Sequence, residues 1–269
     1  MDLDYDMRLY TTQILLVLAS SKVPWTTFNL VGYSLGGGLS VAFTRYFPHM
    51  VDSLTLVAPG GIIRPYHVGW RSHMLYNWGI LPEFIVRMLV KRRVRPRDNH
   101  APGSAGAPTL AAAEAKKHVP NGDGDSNGGD AWDNAGISKY RPGVTVSSII
   151  RWQVDHHEGF VTAFLSSIRN APIYAPQEDW VALAMLLGRR RRHENNSIVG
   201  STPGLRAGKI HIVLGEEDPV IVKDELIEDT RRVLGPDGVE IMVLPGGHEI
   251  PIAASFDVAN AIEGFWHRY

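Results

Sequence analysis

Ser34 stands between two glycines in Gly32-Tyr33-Ser34-Leu35-Gly36, and the residues on either side give that spacing a physical meaning. The apolar run "FNLVGY" leads up to the serine, and a segment of helical character, "LGGGLSVAFTRYF", begins just after it. A serine at a sharp strand-to-helix turn has its hydroxyl raised above the strand end, beside the first N–H groups of the helix. Glycine at positions 32 and 36 would relieve crowding at such a turn. The chemistry this suits is nucleophilic attack by the Ser34 hydroxyl, with backbone N–H groups at the helix N-terminus donating to the developing oxyanion. A hydroxyl is a poor nucleophile near neutral pH, so an imidazole must take its proton and a carboxylate must orient that imidazole. The competing reading of the same five residues is a glycine-rich turn with a helix-capping serine. The strand before and the helix after favour the nucleophile.

Other chemically able residues carry less. The chain has no cysteine, which excludes disulfides, thiolate metal sites and a cysteine nucleophile. In "VDHHEGF", His156, His157 and Glu158 are adjacent, and adjacent residues of a helix do not face one ligand; no second cluster lies at metal spacing, so no metal is expected. The basic runs "VKRRVRPR" and "GRRRRHE" could touch phosphates or acidic lipid, but solvated charge beside a flexible loop is the default reading. Trp70, Tyr76, Trp78 and Phe84 could line an apolar acyl pocket; ordinary packing explains them equally well.

The elements that must hold Ser34 can be read from hydrophobic periodicity. Tyr5 to Ser20 has helical spacing, with Leu9, Ile14, Leu15, Val17 and Leu18 as its apolar positions. "FNLVGY" and "VDSLTLVAP" read as buried strands on either side of a helix, which makes a parallel crossover unit. The pattern resumes with the strand "KIHIVLGEED", the helix "DELIEDTRRVLG", the strand "GVEIMVLPGGH" and an amphipathic helix, "FDVANAIEGFWHRY", with Val258, Ile262 and Phe265 on one side. The predicted class is therefore α/β, with a mostly parallel sheet flanked by helices and split by a long insertion.

Three regions follow: residues 1–61 as the first part of the core, 62–205 as a helical cap, and 206–269 as the second part of the core. Within the cap, Gly, Ala, Pro, Asp and Asn dominate from 96 to 143, including "NGDGDSNGGD", and that stretch is expected to be disordered. A formal net charge of -1 gives no global attraction to nucleic acid, which is not an expected partner. Asp2, Asp4 and Asp6 stand where a signal peptide would be basic, and no apolar stretch reaches the length of a membrane span. A cytoplasmic location is the expectation.

On the residues of this turn and the strand order around it, the sequence resembles the α/β-hydrolase superfamily, in its capped serine esterase and lipase branch. In that fold the acid and the histidine follow later strands, in the order Ser, Asp, His. The resemblance implies Asp218, after "IVLG" in "IVLGEEDPVI", as the acid and His248, in "VLPGGHEIP", as the base. Glu216 and Glu217 compete with Asp218, which the family's G-x-x-D pattern counted from Gly215 favours. Serine at the elbow argues against the haloalkane dehalogenase and epoxide hydrolase branches, which use a carboxylate there. The implied activity is cleavage of a small-molecule carboxylic ester or related acyl substrate, with no cofactor.

The resemblance also implies strands before the elbow and a His-Gly-type loop giving a second oxyanion donor, and this sequence begins past them. The expectation is a partial, N-terminally shortened fold that keeps the Leu35 donor. It would leave "FNLVGY" as an apolar sheet edge open to self-association.

Overall fold

The computed structural model describes residues 3–64, 81–96, 129–141, 143–172, 177–195 and 204–269. The first helix, α1 (Met7–Ser20), starts where the Asp6 carboxylate accepts hydrogen bonds from the N–H groups of Arg8 and Leu9. This cap supplies acceptors for otherwise unpaired helical donors. Of the apolar positions on α1, Ile14 and Leu15 pack against the core, whereas Leu16 and Val17 face outward. The six consecutive apolar residues Ile14 to Ala19 cannot all lie on one helical face.

Four strands make one parallel sheet in the order β1 (Phe28–Tyr33), β2 (Val51–Val57), β3 (Ile210–Gly215), β4 (Val239–Leu244). Helix α2 (Leu35–Tyr46) connects β1 to β2, and α8 (Lys223–Leu234) connects β3 to β4. β1 pairs only with β2 among the described residues, and Val31 is exposed on it. The registers Tyr33 with Val57, Val57 with Val213 and Gly215 with Leu244 bring the carboxyl ends of the strands close together. Loops leaving those ends can therefore converge on one place.

Strand side chains alternate between two packed faces. Leu54, Leu56, Ile210, Ile212 and Leu214 meet α2, α8 and α7 (Gln177–Asn195) in the main core. Val57 and Val213 point the other way, toward Ile250 in the short helix α9 (Ile250–Ala253) and toward Val258 and Ala261 of α10 (Ser255–Arg268). Burial on both faces explains why β3 is apolar along nearly its whole length.

Between β2 and β3 lie α3 (Glu83–Val94), α4 (Gly129–Asn134), α5 (Val146–His156), α6 (Phe160–Asn170) and α7. Val86 and Val90 of α3 pack on Leu165 of α6 to form a small separate core, the body of the cap. Helix α7 instead places Trp180, Leu183 and Leu187 in the main core. Part of the stretch expected to be disordered, 97–128, lies outside the described residues. Its later portion is ordered: α4 is followed by a bridge between Gly136 and Thr145. No helix among the described residues is long and apolar enough to cross a membrane.

Candidate active site

Ser34 sits between β1 and α2 with φ 52° and ψ −121°. That backbone conformation is sparsely populated for any residue with a Cβ, and holding it costs about 1–3 kcal/mol. Three hydrogen bonds impose it. The Ser34 N–H donates to Val57 O at 3.0 Å, and Ser34 O accepts from the N–H groups of Gly37 and Gly60, both at 2.8 Å.

The glycines around the turn have unequal roles. A Cβ on Gly32 would lie 2.4 Å from both Gly36 O and Ser40 Oγ, so glycine is required there. Gly36 has open space on its Cβ side, which corrects the expectation that both flanking glycines relieve crowding. The crowding falls one and two residues later. A Cβ on Gly37 or on Gly38 would meet Pro59 Cβ or Pro172 O, respectively, each at 2.5 Å. The first turn of α2 is thus pressed against the loop after β2 at Gly37 and against Pro172, just beyond the helix Phe160–Asn170, at Gly38, and close packing rather than the turn itself accounts for glycine at these two positions.

The structure brings Ser34, His248 and Asp218 together. His248 Nε2 lies 2.9 Å from Ser34 Oγ, and His248 Nδ1 lies 2.8 Å from Asp218 Oδ2. The other carboxylate oxygen, Asp218 Oδ1, accepts from the N–H groups of Val220 at 2.8 Å and Ile221 at 2.9 Å. A carboxylate only accepts, so Nδ1 carries the proton of the neutral imidazole and Nε2 is left to accept from the Ser34 hydroxyl. Asp218 and His248 are buried, at 5% and 7% exposure, which keeps water from competing for these bonds. Glu216 and Glu217, the competing acids, are exposed, and Glu216 faces Lys223.

The two loops are fitted to each other at close range. A Cβ on Gly215 would come within 2.4 Å of Gly247 O, so the absence of a side chain lets the loop after β4 cross the end of β3. Glu249 Oε1 accepts from the Gly247 N–H at 2.9 Å, and the Tyr33 hydroxyl donates to His248 O at 2.7 Å. Burial, with added repulsion from the nearby Asp218 and Glu249 charges, pushes the Tyr33 phenol well above its usual range. Tyr33 therefore stays a neutral donor and pins the backbone that carries the imidazole.

Leu35 is the first residue of α2, so no helical carbonyl can accept its N–H, which remains able to donate to an anion beside Ser34. Trp132 of α4 lies against the imidazole, its ring centroid 5.6 Å from that of His248 and 6.3 Å from that of Tyr33. Sequence reasoning missed it, because Trp132 falls inside the stretch read as disordered. The lone aromatic in "NGGDAWDNAG" is the one signal that could have marked it.

The remaining sequence candidates lie elsewhere. Trp70, Tyr76 and Trp78 are outside the described residues, and Phe84 is 72% exposed on the cap, so it lines no acyl pocket. His156 stacks on Trp152, and no group of His, Asp and Glu among the described residues could hold a metal ion.

A family model for the alpha/beta hydrolase fold matches residues 10–253. The chain belongs to the α/β-hydrolase fold family, a family of hydrolases. Among curated proteins, uncharacterized proteins of Mycobacterium tuberculosis and Mycobacterium bovis are 34% identical over 68 residues, 25% of this chain and 19% of theirs. The match thus spans about a fifth of those relatives' length. An alpha/beta hydrolase enzyme from a deep-sea metagenome library superposes with TM-score 0.56 at 12% identity, over 99% of this chain and 74% of that one. A bacterial membrane phospholipase A gives 0.54 at 12% identity, over 99% and 64%. The meta-cleavage product hydrolase of Pseudomonas fluorescens gives 0.50 at 14% identity, over 99% and 74%. At these identities the likeness is one of fold.

Proposed function

We propose that this chain is a serine hydrolase acting on a carboxylic ester or related acyl substrate. The observation that carries the reading is the continuous relay from Ser34 Oγ through His248 to Asp218, with both hydrogen bonds under 3 Å. In the first half-reaction Ser34 Oγ attacks the substrate carbonyl carbon while its proton passes to His248 Nε2. The tetrahedral oxyanion forms beside the Leu35 N–H, and Asp218 stabilises the imidazolium. Collapse expels the alcohol, which takes the proton from Nε2 and leaves an acyl ester on Ser34. Water then gives a proton to Nε2 and attacks that ester. Collapse of the second intermediate returns the proton to Ser34 and releases the acid.

A second reading is a binding protein built on an impaired hydrolase site. Its support is that Leu35 supplies the one oxyanion donor identified, and losing such a donor costs about 10²–10³ in rate. A fluorophosphonate probe, together with a p-nitrophenyl ester assay, separates the two readings. Labelling and turnover that vanish in Ser34→Ala are expected of the enzyme. A folded protein that neither labels nor turns over would overturn the hydrolase reading.

A further inference from the structure

The basic run at the end of α3 is not used by the site. In a helix, residues three, four, seven and eight apart share a side, and on this one Phe84 and Met88 stand in line with Lys91 and Arg92. The opposite side holds Val86 and Val90, which are buried against α6. Phe84 and Met88 are 72% and 61% exposed. Lys91 and Arg92 are exposed and have no ion-pair partner among the described residues. Arg87 pairs with Glu83, the sole acid of α3.

Fixed to the body of the cap through Val86 and Val90, α3 presents the apolar tips of Phe84 and Met88 beside the unpaired cations Lys91 and Arg92 on its outer face, a combination that can engage an anionic lipid surface. The apolar tips would enter the boundary between headgroups and acyl chains, and the long basic side chains would reach the phosphates. We propose that the outer face of α3 docks the protein on an anionic phospholipid surface, with Phe84 and Met88 inserted and Lys91 and Arg92 at the headgroups. The proposal does not rest on Ser34 chemistry, and Ser34→Ala should bind as the parent does.

The test is co-sedimentation of the full chain with vesicles of phosphatidylglycerol and phosphatidylcholine, or of phosphatidylcholine alone. Binding to the anionic vesicles is expected, weakening as salt rises. The double variant Lys91→Glu/Arg92→Glu should lose about tenfold or more in partitioning, and Phe84→Ser/Met88→Ser a similar factor. All these positions are exposed, so each variant should keep the parent's thermal unfolding transition. Arg189→Glu/Arg192→Glu, which alters the other basic run, should leave partitioning unchanged. The proposal is overturned by any of four results: no binding to anionic vesicles at low salt, equal binding to phosphatidylcholine alone, binding indifferent to Phe84 and Met88, or dependence on Arg189 and Arg192 instead of α3. Retention on heparin or on an acidic protein without vesicle binding would overturn it too.

Discussion

The ring of Trp132 lies over the edge of the candidate site with its centroid 5.6 Å from the His248 imidazole and its plane tilted 48° from it. The Tyr33 ring of β1 lies 5.2 Å from the same imidazole and 6.3 Å from Trp132, so the imidazole is confined on one side by a cluster of one core aromatic and one cap aromatic. Such confinement fixes the angle at which Nε2 meets Ser34 Oγ. Truncation by Trp132→Ala is expected to lower kcat of ester hydrolysis about tenfold, since small misplacements of a catalytic group are costly. Trp132→Phe should recover most of that loss. Equal activity in all three proteins, measured with a small ester at saturation, would remove Trp132 from the site.

Asp218 makes a sharper test of the relay than simple deletion. Its Oδ1 is committed to two backbone N–H groups, those of Val220 and Ile221. In Asp218→Asn the amide oxygen must stay on those donors, which turns the NH₂ group toward His248 Nδ1. The imidazole would then carry its proton on Nε2 and could no longer accept from Ser34. A drop in kcat of about 10⁴ is expected, with the fold intact by circular dichroism. A loss smaller than tenfold would show that Asp218 does not set the tautomer.

The two glycines flanking Ser34 should respond in opposite directions. Gly32→Ala forces a methyl to within 2.4 Å of Gly36 O and is expected to cost about 1–3 kcal/mol of stability along with ester hydrolysis. Gly36→Ala enters open space in the first turn of α2, where alanine gains up to about 1 kcal/mol over glycine. Thermal unfolding of both variants reads the difference, and destabilisation of similar size in each would contradict the packing described.

How far these features are legible in the sequence depends on whether local pattern or tertiary contact decides them. The four strands are buried on at least one face and bounded by turns, so their apolar runs mark them, and the order Ser34, Asp218, His248 follows from which strand each residue trails. Spacing alone cannot tell that Gly32 is crowded and Gly36 is not, because the crowding atoms come from folding α2 back over β1. Helix α7 escaped notice for another reason. Its "GRRRRHE" end reads as solvated charge, yet Trp180, Leu183 and Leu187 form a helical stripe that belongs to the main core. One of those arginines, Arg191, turns inward and donates to Gly208 O. Trp132 is the hardest case: a single aromatic among Gly, Asp and Asn has no periodicity, and only contact with His248 gives it meaning.

His211 ties stability to pH. It is the second residue of β3, fully buried and stacked on Phe265 with ring centroids 5.0 Å apart, and neither ring nitrogen has a hydrogen-bond partner among the described residues. Burial pushes its pKa down to about 4, with Glu240 opposing that shift and Arg268 adding to it. Above the unfolded value near 6.5, both states are neutral at this residue and stability does not depend on its protonation. Between about 6.5 and 4 the unfolded chain binds a proton that the folded chain refuses, so stability falls as pH falls and the loss levels off below about 4. The full contribution is on the order of 3 kcal/mol. His211→Phe keeps the stack on Phe265 and removes the titrating group, so its unfolding free energy should decline less over that window than the parent's. Chemical denaturation at pH 7, 5.5 and 4.5 measures this. Since the protein has 11 histidines, the informative quantity is the difference between the two proteins. Parallel declines would mean that His211 takes up its proton in the folded state as readily as in the unfolded one.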